Sequence, residues 1–304
     1  MKISIITATY NSSKYIDRVF NTIKQQSYRN FEWIAVDDLS QDNTTQLLED
    51  FKANNLNIDI TLCRMDYNSG GGAAFSHGVE LAKGELIVIL DHDDELIPDA
   101  LSIMIEGWIK FSNKTPKLAG VLFRTQDSET GMMNGQLIKQ EVICSFQEFA
   151  NVHGGHWELC GIYSAKILKE FYTADKVKNL TTNGVLFARI SKEFDFAFTN
   201  TIVRIYYRDN PLSQSNNPRI TEKTIETYIE ILNLHGNFIF GKNVLLNYRT
   251  ACNLARFCII KEKSIFYPLT RLSEKNTIIL YLTSLVFLPL YILRDRLTQT
   301  SKLK

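Results

Sequence analysis

Glu85-Leu86-Ile87-Val88-Ile89-Leu90-Asp91-His92-Asp93-Asp94 is the stretch that decides how this chain is read. An uncharged apolar run, rich in Ile and Val, ends abruptly in three carboxylates within four residues. Such a run reads as a strand buried on both faces. Three acids at its carboxyl end repel one another unless a cation lies between them. Oxygen-only ligands suit Mg²⁺ or Mn²⁺, which keep coordination positions open for phosphate oxygens. The strand end of an open α/β sheet is also where ligands bind. Two readings stand on this segment alone: a metal-assisted phosphate site, or a solvated acidic turn.

Outward from this run, strands and helices alternate. The chain opens with Lys2-Ile3-Ser4-Ile5-Ile6-Thr7-Ala8-Thr9-Tyr10-Asn11, a strand that runs directly into polar residues. Ser12 or Asn11 is placed to cap the following helix, whose Ile16, Val19, Phe20 and Ile23 recur at helical spacing. A second strand, 31–36, ends in Asp37-Asp38-Leu39-Ser40-Gln41-Asp42-Asn43-Thr44, where Asp42 and Thr44 are expected to start the next helix. A third strand, 58–63, leads to Asn68-Ser69-Gly70-Gly71-Gly72-Ala73-Ala74 and a helix up to Lys83-Gly84. This alternation implies right-handed βαβ units and a mainly parallel α/β sheet flanked by helices. Each strand then presents its polar end to the same sheet edge, where the acidic clusters converge.

At this point the residues resemble a known family, the family 2 glycosyltransferases of the Rossmann-like GT-A fold. The resemblance covers roughly the first two-thirds of the chain and rests on four ordered blocks. They are Thr7-Ala8-Thr9-Tyr10-Asn11, then Val36-Asp37-Asp38-Leu39-Ser40-Gln41-Asp42-Asn43-Thr44, then Asn68 through Gly78 to Ala82-Lys83-Gly84-Glu85, and finally Leu90-Asp91-His92-Asp93-Asp94. The resemblance implies an inverting hexosyltransferase of the bacterial cell-surface polysaccharide type. Its donor is a nucleoside-diphosphate sugar, expected to be UDP-linked, and its acceptor a hydroxyl of a glycan or lipid-linked molecule. It further implies that Thr7, Thr9 and Tyr10 flank the nucleotide base and that Asp38, with Asp37 beside it, binds uracil or ribose. Carboxylates suit that task because they accept hydrogen bonds from base N–H and ribose hydroxyls. The Asp-x-Asp element falls on Asp91-His92-Asp93: Asp93 is expected to hold Mn²⁺ or Mg²⁺ and Asp91 to lie near ribose and metal.

The glycine run matches neither G-x-G-x-x-G nor the P-loop pattern. Asn68 and Gly70 either approach the donor closely, with helix N–H groups free for an anion, or form a plain turn. An Arg-Asn pair is usual in the family where this chain has Phe75-Ser76, with His77 as a possible substitute or an ordinary surface residue.

The second half is expected to face the acceptor. Gly154-Gly155-His156-Trp157-Glu158-Leu159-Cys160-Gly161-Ile162-Tyr163-Ser164 resembles the segment leading into the acceptor-side strand and helix, and a strand pair is expected around Ala197 and 202–207. Relatives with this layout carry a glutamate as general base where this chain has Thr181-Thr182-Asn183-Gly184. An amide cannot take a proton from a sugar hydroxyl near neutral pH. Glu158 and Asp175 are the replacement candidates, Glu158 first because its loop is rich in Gly and aromatic residues. The alternative is a protein that binds a sugar nucleotide and transfers it weakly or not at all.

The 304 residues, 45% hydrophobic, suffice for a substantial core. The net charge of +1 hides an asymmetry: from Lys242 onward eleven Lys/Arg face three Asp/Glu, against 23 and 30 before it. Two regions are therefore expected, a GT-A domain over 1–210 and a helical region over 211–304. The latter contains a basic, apolar, membrane-docking segment at 276–296. Residues 276–293 carry no charge and are followed by Arg294 and Arg296. At the lower limit of the roughly 17–25 residues a spanning helix needs, this stretch reads as an interface-seated segment, a span, or a helix buried against the domain. Asp209 to Pro218 has the composition of a linker or closing loop. Met1-Lys2 runs straight into the first strand, so no leader is expected, and the cytoplasm, at the inner face of the cell membrane, is the expected compartment. The five cysteines are widely spaced and read as free, mostly buried thiols. Basic helices without a nucleic-acid module argue against nucleic acid as a partner. A nucleotidyltransferase is disfavoured because Thr9-Tyr10-Asn11-Ser12 lacks the glycine- and basic-rich loop that class needs.

Overall fold

Ile3–Thr9 (β1) and Phe31–Asp37 (β2) are buried at every residue. In each, alternate apolar side chains serve opposite faces of the sheet. Ile3, Ile5, Trp33 and Val88 enter one hydrophobic cluster, while Ile6, Ala8, Ile34 and Ile87 enter another. A strand that is apolar on both faces is stable only with helices on both sides. The computed structural model describes residues 1–153, 158–173, 183–211, 221–235, 244–273 and 275–293. In it, helices Asp17–Gln25 (α1), Thr44–Ala53 (α2) and Ala100–Ser112 (α4) cover the first face, and Gly71–Leu81 (α3) and Ala165–Phe171 (α6) the second. Phe20 stacks on Phe51 at 4.2 Å and meets Trp33 edge-on at 6.1 Å, locking α1 and α2 to β2.

The remaining strands are Asp59–Arg64 (β3), Leu86–Ile89 (β4), Glu95–Leu96 (β5), Leu118–Asp127 (β6), Val142–Cys144 (β7), Leu159–Ser164 (β8) and Asp195–Tyr206 (β9). The sheet runs β3-β2-β1-β4-β8-β6-β9-β5, with β7 also on β9. The first four strands are parallel, as the βαβ alternation predicts. Beyond β4 the sheet is mixed: β8 is antiparallel to β4 and β6, whereas β6 and β9 are parallel. The expected strand pair around residues 197 and 202–207 is one strand, β9, whose register against β6 slips at several points.

One buried charge organises the edge opposite the carboxylate end. Glu32 on β2 is 1% exposed and accepts hydrogen bonds from Ser4 Oγ (2.6 Å), Lys83 N (2.6 Å) and Lys2 Nζ (3.1 Å). It thereby ties β1, β2 and the α3–β4 turn together. Gly84 in that turn passes so close to β1 that a Cβ would lie 2.7 Å from Ser4 N. Only glycine fits there.

Phe146–His153 (α5) and Asn183–Ile190 (α7) are further sheet-side helices among the described residues. Glu222–His235 (α8), Val244–Ile260 (α9) and Lys275–Ser284 (α10) share a separate cluster of Ile225, Ile229, Leu254, Ala255, Leu280 and Tyr281. Among the described residues, an ion pair of Arg189 on α7 with Glu230 on α8 ties this cluster back to the sheet-side body. From Lys275 to Leu293 the chain is long and apolar enough to cross a membrane by length and composition, yet only 28% of its most apolar 18 residues is buried. Its inward side chains are Thr277, Leu280, Tyr281, Ser284 and Leu288, while Ile279, Val286, Phe287, Leu290 and Leu293 point outward. The segment is thus apolar on its exposed side as well as on its buried one, which leaves an exposed apolar patch.

Candidate functional site

The parallel register sets Thr9 opposite Asp37, and Leu90 N donates to Ile6 O, so the ends of β1, β2 and β4 share one edge. Of the predicted residues, Tyr10 stands 46% exposed at this edge. Thr7 is turned into the core, where its Oγ1 accepts from Trp33 Nε1 at 3.1 Å. Thr9 is also buried and donates to Asp37 at 3.3 Å. Asp37 in turn accepts from Ser40 N, Ser40 Oγ and Thr45 Oγ1 (2.8 Å), which shapes the loop over α2. Leu39 within that loop has φ 62°, a left-handed conformation that a leucine adopts only when its surroundings dictate it. As expected, α2 starts at Thr44, whose N–H and hydroxyl both donate to Asp42.

Asp38 accepts from Ser69 N and Gly70 N, both at 2.7 Å, and Asn68 Nδ2 donates to its carbonyl at 3.1 Å. Burial raises the Asp38 carboxyl above its ordinary range, with the two N–H donors pulling the other way. Between the two readings of the glycine run, these bonds favour a turn: Ser69 and Gly70 give their amides to a carboxylate of the protein itself. Gly70 has φ 88°, which glycine alone adopts without strain. Lys223 on α8 reaches the same loop, with Nζ 3.5 Å from Ser69 O. Phe75 packs in the core, Ser76 donates to Tyr172 O, and His77 lies beside Glu80 on the outer surface of α3.

The acidic run carries a counter-ion that sequence reasoning missed. Arg204 on β9 places Nη1 2.9 Å from Asp91 Oδ2 and 3.3 Å from Asp94 Oδ2, with Nη2 3.7 Å from Glu158 Oε2. Burial lifts the Asp94 carboxyl well above the usual range, against the pull of the guanidinium, while the carboxylates hold Arg204 firmly charged. The repulsion among the acids is thus relieved in part by an arginine. Its only sequence signal is a lone cation in the apolar run Ile202-Val203-Arg204-Ile205-Tyr206.

Asp93 is held differently. Its Oδ2 accepts from Asn210 Nδ2 at 2.8 Å, and its Oδ1 has no hydrogen bond among the described residues. Arg18 on α1 donates to Asp93 O (2.8 Å) and Asp209 Oδ1 (2.9 Å) and lies 3.7 Å over the Tyr207 ring. The start of the expected linker, Asp209-Asn210, is therefore clamped onto the acidic loop.

Among the described residues, no three His, Cys, Asp or Glu side chains form a metal cage. Asp93 and the 47% exposed Asp91 do suit an ion that is bound by one or two carboxylates and completed by substrate phosphate oxygens, the usual habit of Mg²⁺. The structure brings Glu158 to this cluster. Asp175 lies outside the described residues, as do Thr181 and Thr182, and Asn183 is the first residue of α7.

With the strand ends, the paired aspartates and the acidic loop in these positions, comparison with known proteins is direct. The model of glycosyl transferase family 2 matches residues 4–166. The chain belongs to that family. It is 36% identical over 113 residues to the poly(ribitol-phosphate) beta-N-acetylglucosaminyltransferase TarS of Staphylococcus aureus, covering 35% of this chain and 19% of TarS. It is 30% identical over 105 residues to the GalNAc(5)-diNAcBac-PP-undecaprenol beta-1,3-glucosyltransferase of Campylobacter jejuni, covering 34% of each. The chain thus spans about a fifth to a third of the length of these relatives. Among solved structures, it shares its fold with residues 1–349 of S. aureus TarS in complex with UDP-GlcNAc. The TM-score is 0.62 at 15% identity, covering 93% of this chain and 79% of that one. It shares the fold also with the mannosyltransferase PcManGT of Pyrobaculum calidifontis in complex with GDP-Man and Mn²⁺, with a TM-score of 0.56 at 14% identity and 94% of this chain covered. The architecture is GT-A.

Proposed function

We propose that this protein transfers a sugar from a nucleoside-diphosphate sugar, UDP-linked, to a hydroxyl of a glycan or lipid-linked acceptor at a membrane surface, with inversion at the anomeric carbon. The observation that carries this reading is the gathering of Tyr10, Asp38, Asp91 and Asp93 at one edge of a GT-A sheet. Tyr10 offers a ring to the base, and the Asp38 carboxylate, held by two backbone amides, offers acceptor oxygens to base N–H or ribose. Asp93, with Asp91 beside it, holds Mn²⁺ or Mg²⁺. The bound ion supplies Lewis-acid stabilisation to the departing diphosphate.

On the acceptor side, Glu158 takes the proton from the attacking hydroxyl as that hydroxyl approaches the face opposite the leaving group. Asp175 is the second candidate for this role. One observation favours the alternative, a sugar-nucleotide-binding protein with weak transfer: Glu158 Oε2 faces the buried Arg204 guanidinium at 3.7 Å, so one of its oxygens is directed at a protein cation rather than at an acceptor hydroxyl. The outward apolar face of 275–293 docks on the membrane at its cytoplasmic side, where the adjoining basic residues attract anionic lipid. The Campylobacter relative, named for a polyprenyl-diphosphate-linked acceptor, supports that acceptor class.

The test is incubation with UDP-hexoses and UDP-N-acetylhexosamines, Mn²⁺ and polyprenyl-diphosphate-linked glycans, reading UDP release and product configuration by NMR. An acceptor-dependent β-linked product from an α-linked donor supports the proposal. A retained configuration contradicts it.

A further inference from the structure

The acid cluster after β4 holds its own cation in a fixed place. The Arg204 side chain is 5% exposed and projects from a strand hydrogen-bonded on one side to β6 and on the other to β5. Asp94 Oδ2 is buried with no hydrogen bond among the described residues, so Arg204, 3.3 Å away, is its charge compensation. The same guanidinium bonds Asp91, the more exposed of the two carboxylates proposed to face a metal ion.

We infer that Arg204 is a positioning residue that competes with the divalent cation for Asp91, so that the site takes the ion as its complex with the donor diphosphate rather than as the free ion. The inference rests on the metal-dependent reading above. A free ion approaching Asp91 and Asp93 meets a fixed positive charge already bonded to one of them, and like charges at a few ångströms oppose each other strongly. An ion arriving with a diphosphate brings negative charge that offsets the guanidinium and oxygens that complete its coordination. Arg204 meanwhile keeps Asp94 and Glu158 in register.

Calorimetric titration of the full chain with MnCl₂, alone and with saturating UDP, tests this. Arg204→Gln is expected to bind Mn²⁺ alone at least about tenfold more tightly than the wild type, because the opposing charge is gone. The gain in Mn²⁺ affinity on adding UDP should shrink to match. Asp94→Asn, which frees Arg204 to engage Asp91 more strongly, is expected to weaken Mn²⁺ binding in the presence of UDP. A purely structural role moves both variants in the same direction. Unchanged or weaker Mn²⁺ binding by folded Arg204→Gln overturns the inference. Should that variant fail to fold, unchanged or tighter binding by Asp94→Asn overturns it instead. A wild type whose Mn²⁺ affinity does not rise with UDP removes the metal-dependent reading and this inference together. A rise with UDP that both variants preserve removes the inference alone.

Discussion

Asp93 is held by Asn210 and Glu158 faces Arg204, and these different surroundings dictate different losses on substitution. Asp93 has one oxygen on Asn210 and the other without a hydrogen bond among the described residues, so Asp93→Ala takes away the main proposed anchor of the ion. Transfer is expected to fall by about a hundredfold or more, as for a lost electrostatic stabiliser of the leaving group. Metal-dependent UDP binding measured by calorimetry should fall with it, and unchanged binding would refute the assignment. Glu158→Gln keeps the shape of the side chain and removes its basicity. If Glu158 is the base, kcat should drop by about 10²–10⁴ with little change in donor KM, and full transfer by this variant sinks the choice. The carboxylates were legible in the sequence because an apolar strand ending in acids leaves few readings. Arg204, Asn210 and Arg18 were not, because each comes from an element far along the chain and meets the acids only once the sheet is assembled. Nor could the sequence reveal that Thr7 is buried with its hydroxyl accepting from Trp33, since a strand-end hydroxyl looks the same facing either way.

Among the elements, the β1–β4 half of the fold follows from alternation, length and turn chemistry, and the predicted strand ends agree with the structure to within a residue or two. The first helix is the exception. It begins at Asp17, not beside Ser12, because Asn11 and Ser12 are engaged with Gln41 N and Tyr10 N, leaving 13–16 as a turn. The mixed far half was less legible, since β8 and β9 are separated by helices and pair with distant strands. Glu32 is the elemental tie whose removal is most informative. Glu32→Gln leaves donors that a carboxylate satisfied facing an amide, and should cost about 1–3 kcal/mol by urea unfolding. Burial acts to raise the Glu32 carboxyl, but bonds from Ser4, Lys83 and Lys2 together hold it below its ordinary value. A depressed carboxylate contributes stability above its unfolded pKa and loses it as pH falls through its folded one. The wild type should therefore lose more stability than Glu32→Gln as pH drops below about 4, and parallel curves would contradict the account. Gly84→Ala, pressing a methyl group onto the β1 backbone, is expected to cost about 1–3 kcal/mol in the same assay.

At the scale of the whole molecule, the helical region is both an appendage and a neighbour of the site: Lys223 touches the loop that holds Asp38, while the segment from α10 to Leu293 keeps apolar side chains exposed. Val286 and Leu290 are 76% and 64% exposed, so Val286→Glu with Leu290→Glu should leave the unfolding temperature nearly unchanged. Flotation with liposomes of anionic lipid should be abolished, and a doubly substituted protein that still floats would end the docking proposal. The most direct test of the central claim is thermal unfolding against UDP, GDP and dTDP, each with and without Mn²⁺ or Mg²⁺. A ligand at about a hundred times its dissociation constant adds roughly 2.7 kcal/mol, a shift of several degrees. The account predicts such a shift with UDP that requires the metal. No shift with any nucleotide, with or without metal, would contradict it.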